Sequence, residues 1–303
     1  MLRTQMKPFA SMIAAALVIA CSGAEPLVSL PALPPGAAWF DDWYTVTKLD
    51  ARTFAIAEPR YPQHNVNYLI VGDARAVLLD TGPGVRDIRP VVAKLTVRPV
   101  VAAFSHLHFD HIAGQPNFAS IASLDHPSIR SRVASDGRFT PSLLQYGRAG
   151  RPSFRITEWW APDAPIDLGG RVLQVLSVPG HTPESLALYD AASGQLFTGD
   201  FLYPGDLFAF VPGSDLVAYR DSARRLLDLT ANRLDVAIYG AHVQDASASP
   251  RQGVRDLEAL ERAMGELVLD PAHTPPWTLA RVEWIPTRRY QFDDGLVILA
   301  PLF

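Results

Sequence analysis

"FSHLHFDHIAG", residues 104–114, gathers His106, His108, Asp110 and His111 within six positions of a chain that holds only eight histidines in 303 residues. Crowding of so scarce a residue points to a shared task. In an extended backbone, residues two apart project to the same side, so His106 and His108 point together. Asp110 and His111 are adjacent and face differently unless the chain turns there. That arrangement suits two metal ions better than one. Imidazole and carboxylate ligands fit zinc, and also iron or manganese, while the lack of a nearby thiolate argues against a purely structural zinc site.

Working outward, the same chemistry recurs where apolar runs end. "VVAAFSH" ends at His106, "LQVLSVPGH" at His181, "GQLFTGD" at Asp200, "VAIYGAH" at His242 and "AVLLD" at Asp80. Each run is suited to a strand buried on both faces, and strands lying side by side would bring these ends to one edge. Singly, each residue has an ordinary explanation: aspartate in "LLDTGPG" is common turn chemistry, and a lone histidine is commonly a hydrogen-bonded structural residue. Jointly they supply five histidines and two aspartates besides Asp80, enough for two ions with positions left for water. Two neighbouring ions can hold a hydroxide and polarise a substrate oxygen, so the residues read as a centre for metal-assisted hydrolysis.

The rest of the chain sets the frame. Charged residues make up 19% and apolar ones 48%, a globular profile, and the net charge of −4 gives no reason to expect nucleic acid as a partner. Early runs "YTVTKLD", "TFAIAE" and "VNYLIVG" read as strands. Two helices are expected later, one capped by Ser214 or Asp215, the other by Ser249 with Pro250 in its first turn. In the second, Val254, Leu257, Leu260, Met264 and Leu267 form one apolar stripe. Interleaved strands and helices make the class mixed α/β.

Residues 1–20 combine a short basic start with an apolar run too short to span a bilayer, as in an export signal. The only cysteine, Cys21, follows "LVIA", and "LVIAC" resembles the lipobox of bacterial lipoproteins. A lipid anchor at Cys21 is therefore expected, with residues 21–36 as a proline-rich tether and residues 37–303 as one folded domain. Serine after the cysteine favours a periplasm-facing place on the outer membrane, the alternative being a soluble periplasmic protein. One cysteine allows no intramolecular disulfide.

The motifs "LLDTG", "SHLHFDH", "PGHTPES", "FTGD" and "YGAH" occur in an order that resembles the metallo-β-lactamase superfamily of αββα-sandwich hydrolases, over most of residues 43–245. The resemblance implies that His106, His108 and His181 hold a first metal, and that Asp110, His111 and His242 hold a second. Asp200 would bridge the pair, Asp80 would steady the ligands from behind, and Asp110 would also orient the attacking hydroxide. Two zinc ions are the implied cofactor, with iron or manganese as substitutes.

Within the superfamily, "FTGD" leans toward the glyoxalase II, lactonase and thioesterase-like branches, so an ester, thioester or lactone is the expected small-molecule substrate. A β-lactamase, an iron-dependent oxidoreductase resembling persulfide dioxygenases, and a lipid-anchored binding factor without activity are the alternatives. Tyr203 matches a tyrosine that donates to the oxyanion in some members; it is equally readable as a half-buried loop aromatic. Residues 126–157 carry Arg130, Arg132, Arg138, Arg148, Arg151 and Arg155 against Asp136 alone, either a solvated face or a cationic lip for an anionic substrate. Trp159, Trp160, Phe208 and Phe210 are candidates for a pocket wall or for core.

Overall fold

Along the strand Val66–Val71 the side chains alternate between two apolar environments. Tyr68 and Ile70 join one core cluster, and Leu69 joins another on the opposite face. The next strand, Ala76–Leu79, repeats the pattern, with Val77 and Leu79 on the first side and Ala76 and Leu78 on the second. A strand apolar on both faces needs cover on both, and a layered sandwich supplies it.

The computed structural model describes residues 32–233, 235–269, 275–283 and 285–302. Eight strands form the first sheet, in the order Ala37–Trp39, Thr45–Asp50, Thr53–Ala57, Val66–Val71, Ala76–Leu79, Val100–Ala103, Ile121–Leu124 and Glu158–Trp160. Its first five strands pair antiparallel and its last four parallel. The second sheet holds six, Pro165–Asp167, Val172–Ser177, Leu186–Asp190, Gln195–Gly199, Ala237–Gly240 and Arg251–Gln252.

Between the sheets, Tyr68, Ile70, Leu79 and Ala103 meet Val175, Leu188, Phe197 and Tyr239. The Tyr68 ring lies 5.1 Å from Phe197, which stacks on Tyr239 at 5.6 Å. Outside the first sheet, Val91 and Val92 of the helix Arg89–Leu95 cover Leu69 and Leu78. Outside the second, the helices Leu216–Thr230 and Val254–Leu269 cover Leu176, Leu196 and Ile238. The architecture is the αββα sandwich expected of the motifs.

The helix caps divide. Asp215 caps Leu216–Thr230 as expected, its Oδ1 accepting from the backbone N–H groups of Val217 (2.8 Å) and Ala218 (3.0 Å). Ser249 does not cap the last helix. Arg251–Gln252 instead pair with Ala237–Gly240 as an edge strand, and the helix begins at Val254. Ser249 accepts from the Arg251 N–H at 3.2 Å, a turn bond that leads into that strand. The stripe of Leu257, Leu260, Met264 and Leu267 is buried against the second sheet, as its spacing required.

A smaller sheet, Asp206–Phe208, Val297–Pro301, Ile285–Gln291 and Trp277–Val282, docks on the same outer cluster through Tyr290, Ile298 and Ala300. The expected signal and most of the tether lie outside the described residues. Among the described residues no helix is long and apolar enough to cross a membrane.

Candidate metal centre

Asp80 begins the site. It directly follows the strand Ala76–Leu79 and adopts a left-handed backbone, φ 65°, uncommon for a residue other than glycine. Three donors hold it there. The Ser105 N–H donates to Oδ1 (2.7 Å), while the Ser105 hydroxyl (2.9 Å) and His111 Nδ1 (3.0 Å) reach Oδ2. Ser105 is itself pressed against Gly199, where an added Cβ would sit 2.4 Å from the Ser105 Cβ at φ 56°. Glycine before Asp200 is thus required by both space and backbone.

The chain turns after His108 into the short helix Phe109–Ile112, so the adjacent Asp110 and His111 do converge. His106 and His108 point together, as their spacing predicts, with His106 Nε2 2.8 Å from His108 Nδ1. His181, carried by the loop after Val172–Ser177, places Nε2 3.1 Å from the same His108 Nδ1. His242 follows Ala237–Gly240 and pairs across an isolated bridge with Asn65. Its Nε2 lies 3.3 Å from His111 Nε2 and 3.4 Å from Asp110 Oδ2.

The partners of the other ring nitrogens fix the tautomers. His181 Nδ1 donates to the Phe208 carbonyl at 2.7 Å, and His242 Nδ1 to the Gln63 carbonyl at 2.8 Å. His111 Nδ1 donates to Asp80. Ser105 spends its proton on Asp80, so its oxygen accepts from His106 Nδ1 at 3.1 Å. Each of these four imidazoles therefore turns an Nε2 lone pair inward. Lone pairs facing one another at such distances call for a shared cation. Asp200 completes the set: its Oδ2 lies 3.9 Å from His106 Nε2 and 3.6 Å from His181 Nε2, its Oδ1 3.4 Å from His111 Nε2 and 3.2 Å from His242 Nε2. Oδ1 is buried without a hydrogen bond. Three groups, His106/His108/His181, His106/His111/Asp200 and Asp110/His111/His242, could each hold an ion, and this nitrogen and oxygen donor set fits zinc and its neighbours.

Electrostatics divides the centre. Burial pushes His106 and His181 below the usual imidazole range and His108 down to about 3. For His111 and His242 burial works the same way, but Asp110 and Asp200 outweigh it and raise both. Burial alone would raise Asp110 and Asp200 as well, yet His111 and His242 hold both carboxylates well below their usual range. Ionised carboxylates beside inward lone pairs favour positive charge at this spot.

Tyr203 sits beside the cluster, its ring edge-on to His242 at 5.2 Å between centroids. Its hydroxyl is buried and donates to the Asp206 carbonyl at 2.7 Å, so its one proton is already engaged. Trp160 belongs to the core between the sheets, whereas Trp159 lies under the Arg130 guanidinium at 3.6 Å. Phe208 and Phe210 contact each other at 5.2 Å. The stretch "NVNYLIVG" holds a site residue unread in the sequence: Asn65 Nδ2 donates to the Asp110 carbonyl (3.0 Å) and to Asp110 Oδ2 (3.2 Å). Ser105, directly before His106, likewise carries no residue type that marks it as the link between Asp80 and His106. The carbonyls of Gln63 and Phe208 are main-chain atoms, which no residue type announces.

Known proteins resemble this chain in sequence and in fold. The chain is 28% identical over 228 residues to the acyl-coenzyme A thioesterase MBLAC2 of Bos taurus, covering 66% of this chain and 81% of that protein. It is 29% identical to the hydroxyacylglutathione hydrolase of Stenotrophomonas maltophilia (strain R551-3), covering 70% and 75%. Among solved structures, a metallo-beta-lactamase from Pontibacter korlensis superposes with a TM-score of 0.56 at 16% identity, over 73% of this chain and 98% of that one, a likeness of fold. The Metallo-beta-lactamase superfamily profile matches residues 60–242, from just before the strand Val66–Val71 to the last histidine of the cluster. On that match, and on the sandwich that carries it, this chain belongs to the metallo-beta-lactamase superfamily and is a hydrolase of that fold.

Proposed function

We propose that the protein is a thioester hydrolase with a dinuclear, zinc-type centre. His106, His108 and His181 would hold one ion, Asp110, His111 and His242 the other, with Asp200 reaching both. The carrying observation is the division of Asp200, with Oδ2 toward His106 and His181 and Oδ1 toward His111 and His242. Bound ions would supply Lewis acidity toward the substrate carbonyl and a water-derived nucleophile at neutral pH. The remaining work falls to the protein. Phe208, Gln63 and Asp80 fix the imidazole tautomers, and Asp110, steadied by Asn65, would orient the attacking water.

The choice of thioester is supported by the activities named for the two relatives, an acyl-coenzyme A thioesterase and a hydroxyacylglutathione hydrolase. Esters and lactones share the same acyl chemistry. The basic and apolar start of residues 1–20, followed by "LVIAC", supports an enzyme exported from the cytoplasm, anchored through Cys21 and facing the periplasm.

The test is turnover by metal-replete protein on thioesters, esters, lactones, penicillins and carbapenems, repeated with Asp200→Ser. Thioester hydrolysis should be the fastest, β-lactam hydrolysis absent or far slower, and the variant should lose most activity together with its second ion. Efficient β-lactam turnover by the wild type, or full activity in Asp200→Ser, would overturn the reading.

A further inference from the structure

Away from the metal ligands, segment 126–157 folds into its own small unit. The helix Pro127–Arg130 leads into a ribbon in which Arg138–Phe139 pairs antiparallel with Phe154–Arg155, and the helix Leu143–Tyr146 lies in the connection between those two strands. Phe139 and Phe154 point into a core cluster, 5.5 Å apart, and Phe154 meets Phe104 at 6.2 Å. The ribbon is thereby fixed to the sandwich, and its exposed side carries the arginines.

Arg132, Arg138 and Arg151, with Ser131 and Thr140, line an open cavity of about 550 Å³. Among the described residues its one acid, Asp136, accepts from the Arg138 backbone N–H at 3.0 Å. Among the described residues none of these three guanidiniums has a carboxylate in ion-pair range, whereas nearby Arg130 is matched to Asp125 at 2.7 Å. Two of the three are nevertheless held in place. Arg138 Nε donates to the Ser153 hydroxyl at 3.1 Å, and Arg151 Nη1 to the Pro141 carbonyl at 2.9 Å. Each keeps further N–H donors available. Arg138 and Arg155 are also direct register partners in the ribbon. Like charges directly opposite on paired strands are destabilising, an arrangement that a bound anion would relieve.

The unit also reaches the metal loop. Phe109 stands between His108 and Asp110, the Arg148 guanidinium lies over its ring at 3.9 Å, and Tyr146 meets it edge-on at 6.3 Å. We propose that the cavity of Arg132, Arg138 and Arg151 is a binding site for a phosphate-type polyanion, and that this anion is the charged tail of the thioester substrate. The second half rests on the hydrolase reading above; the first does not. A tail bound there would draw in substrates with an anionic thiol carrier and leave neutral thioesters without that advantage.

Inorganic pyrophosphate, titrated calorimetrically into the intact metal-loaded protein, is the probe. Arg132→Glu is the informative variant, because the Arg132 side chain makes no hydrogen bond among the described residues; Arg151→Ala serves as a second. Pyrophosphate should bind in a salt-sensitive manner, and each variant should weaken it at least about tenfold. The ratio of kcat/KM for a phosphorylated over a neutral thioester carrier should fall to a similar degree. Absence of binding, or binding that both variants leave intact, as for an anion held at the metal centre, would overturn the site. So would binding of phosphatidylglycerol vesicles without binding of free pyrophosphate, which would mark a membrane-facing surface instead. If the variants abolish pyrophosphate binding while the wild type cleaves no thioester, the anion site stands and the hydrolase reading fails.

Discussion

His111 and His242 bring their Nε2 atoms to 3.3 Å, although each has already given its Nδ1 proton away, His111 to Asp80 and His242 to the Gln63 carbonyl. Two lone pairs at that distance repel unless a proton or a metal ion takes one of them up, and Asp110 and Asp200, which raise both rings, mark the spot as one that attracts positive charge. Protein purified without chelators is therefore expected to carry close to two transition-metal ions per chain, and His242→Ala close to one. Elemental analysis of both decides the matter. A stoichiometry of one that His242→Ala leaves unchanged would remove the dinuclear centre.

Asn65 acts on the same half of the centre through Asp110, and its backbone pairs with His242. Replacing it with leucine keeps the branched shape and the heavy-atom count and deletes both donations. Loss of such an outer partner typically weakens metal binding about 10- to 100-fold. Asn65→Leu should show that loss for the second ion only, read by chelator competition, with the first ion held as in the wild type. Equal weakening of both ions, or of neither, would leave Asn65 a purely structural residue.

For Tyr203 the geometry separates two roles. A donor to the developing oxyanion is worth about 100- to 1,000-fold in kcat. A buried hydroxyl bonded to a main-chain carbonyl contributes about 1 kcal/mol of stability. Because the hydroxyl donates to the Asp206 carbonyl, Tyr203→Phe should shift the denaturation midpoint and lower kcat by less than about tenfold. The opposite result, a large kcat loss at unchanged stability, would restore the oxyanion role.

Glu58 is fully buried against the Trp43 indole N–H (2.8 Å) and the Asn67 amide (3.2 Å). Burial, opposed by those two donors, pushes its carboxyl up from 4.5 to about 7. The protonated acid is thus favoured in the folded state. Its contribution is complete below pH 4.5 and is lost as pH rises through about 7, an effect on the order of 3 kcal/mol. Wild type should lose that much more stability than Glu58→Gln between those two pH values in chemical denaturation. Parallel curves for the two proteins would refute it.

The proposed anchor is tested by Cys21→Ser. The wild type should fractionate with membranes, and the variant should appear in the soluble periplasmic fraction or remain unprocessed. A variant processed and fractionated like the wild type would exclude lipidation.

The convergence of the candidate His/Asp cluster was legible because its residues lie where buried strands end, and period-two burial leaves little freedom in how such strands stack. Burial on both faces was legible in runs such as "AVLLD", whereas the αββα layering was implied by the motifs' resemblance to the superfamily. Other features depend on partners distant in the chain. Arg251–Gln252 became an edge strand because Ala237–Gly240 offered it a ladder, overriding the helix signal at Ser249 and Pro250. Asn65 reads as an ordinary polar residue until Asp110 and His242 are placed beside it. The C-terminal sheet had no motif at all, since it is held by burial of Tyr290, Ile298 and Ala300 against a surface built by other elements.

The cluster draws on both sheets unequally. His106, His108, Asp110 and His111 follow a strand of the first sheet, while His181, Asp200 and His242 follow strands of the second. Neither sheet alone completes either proposed triad together with Asp200, so affinity for the ions belongs only to the docked pair. Each ion bound is then also a clasp across that edge of the sandwich. By mass action its strength grows with the logarithm of free metal above the dissociation constant, and the durability of this fold becomes a gauge of the metal supply around it.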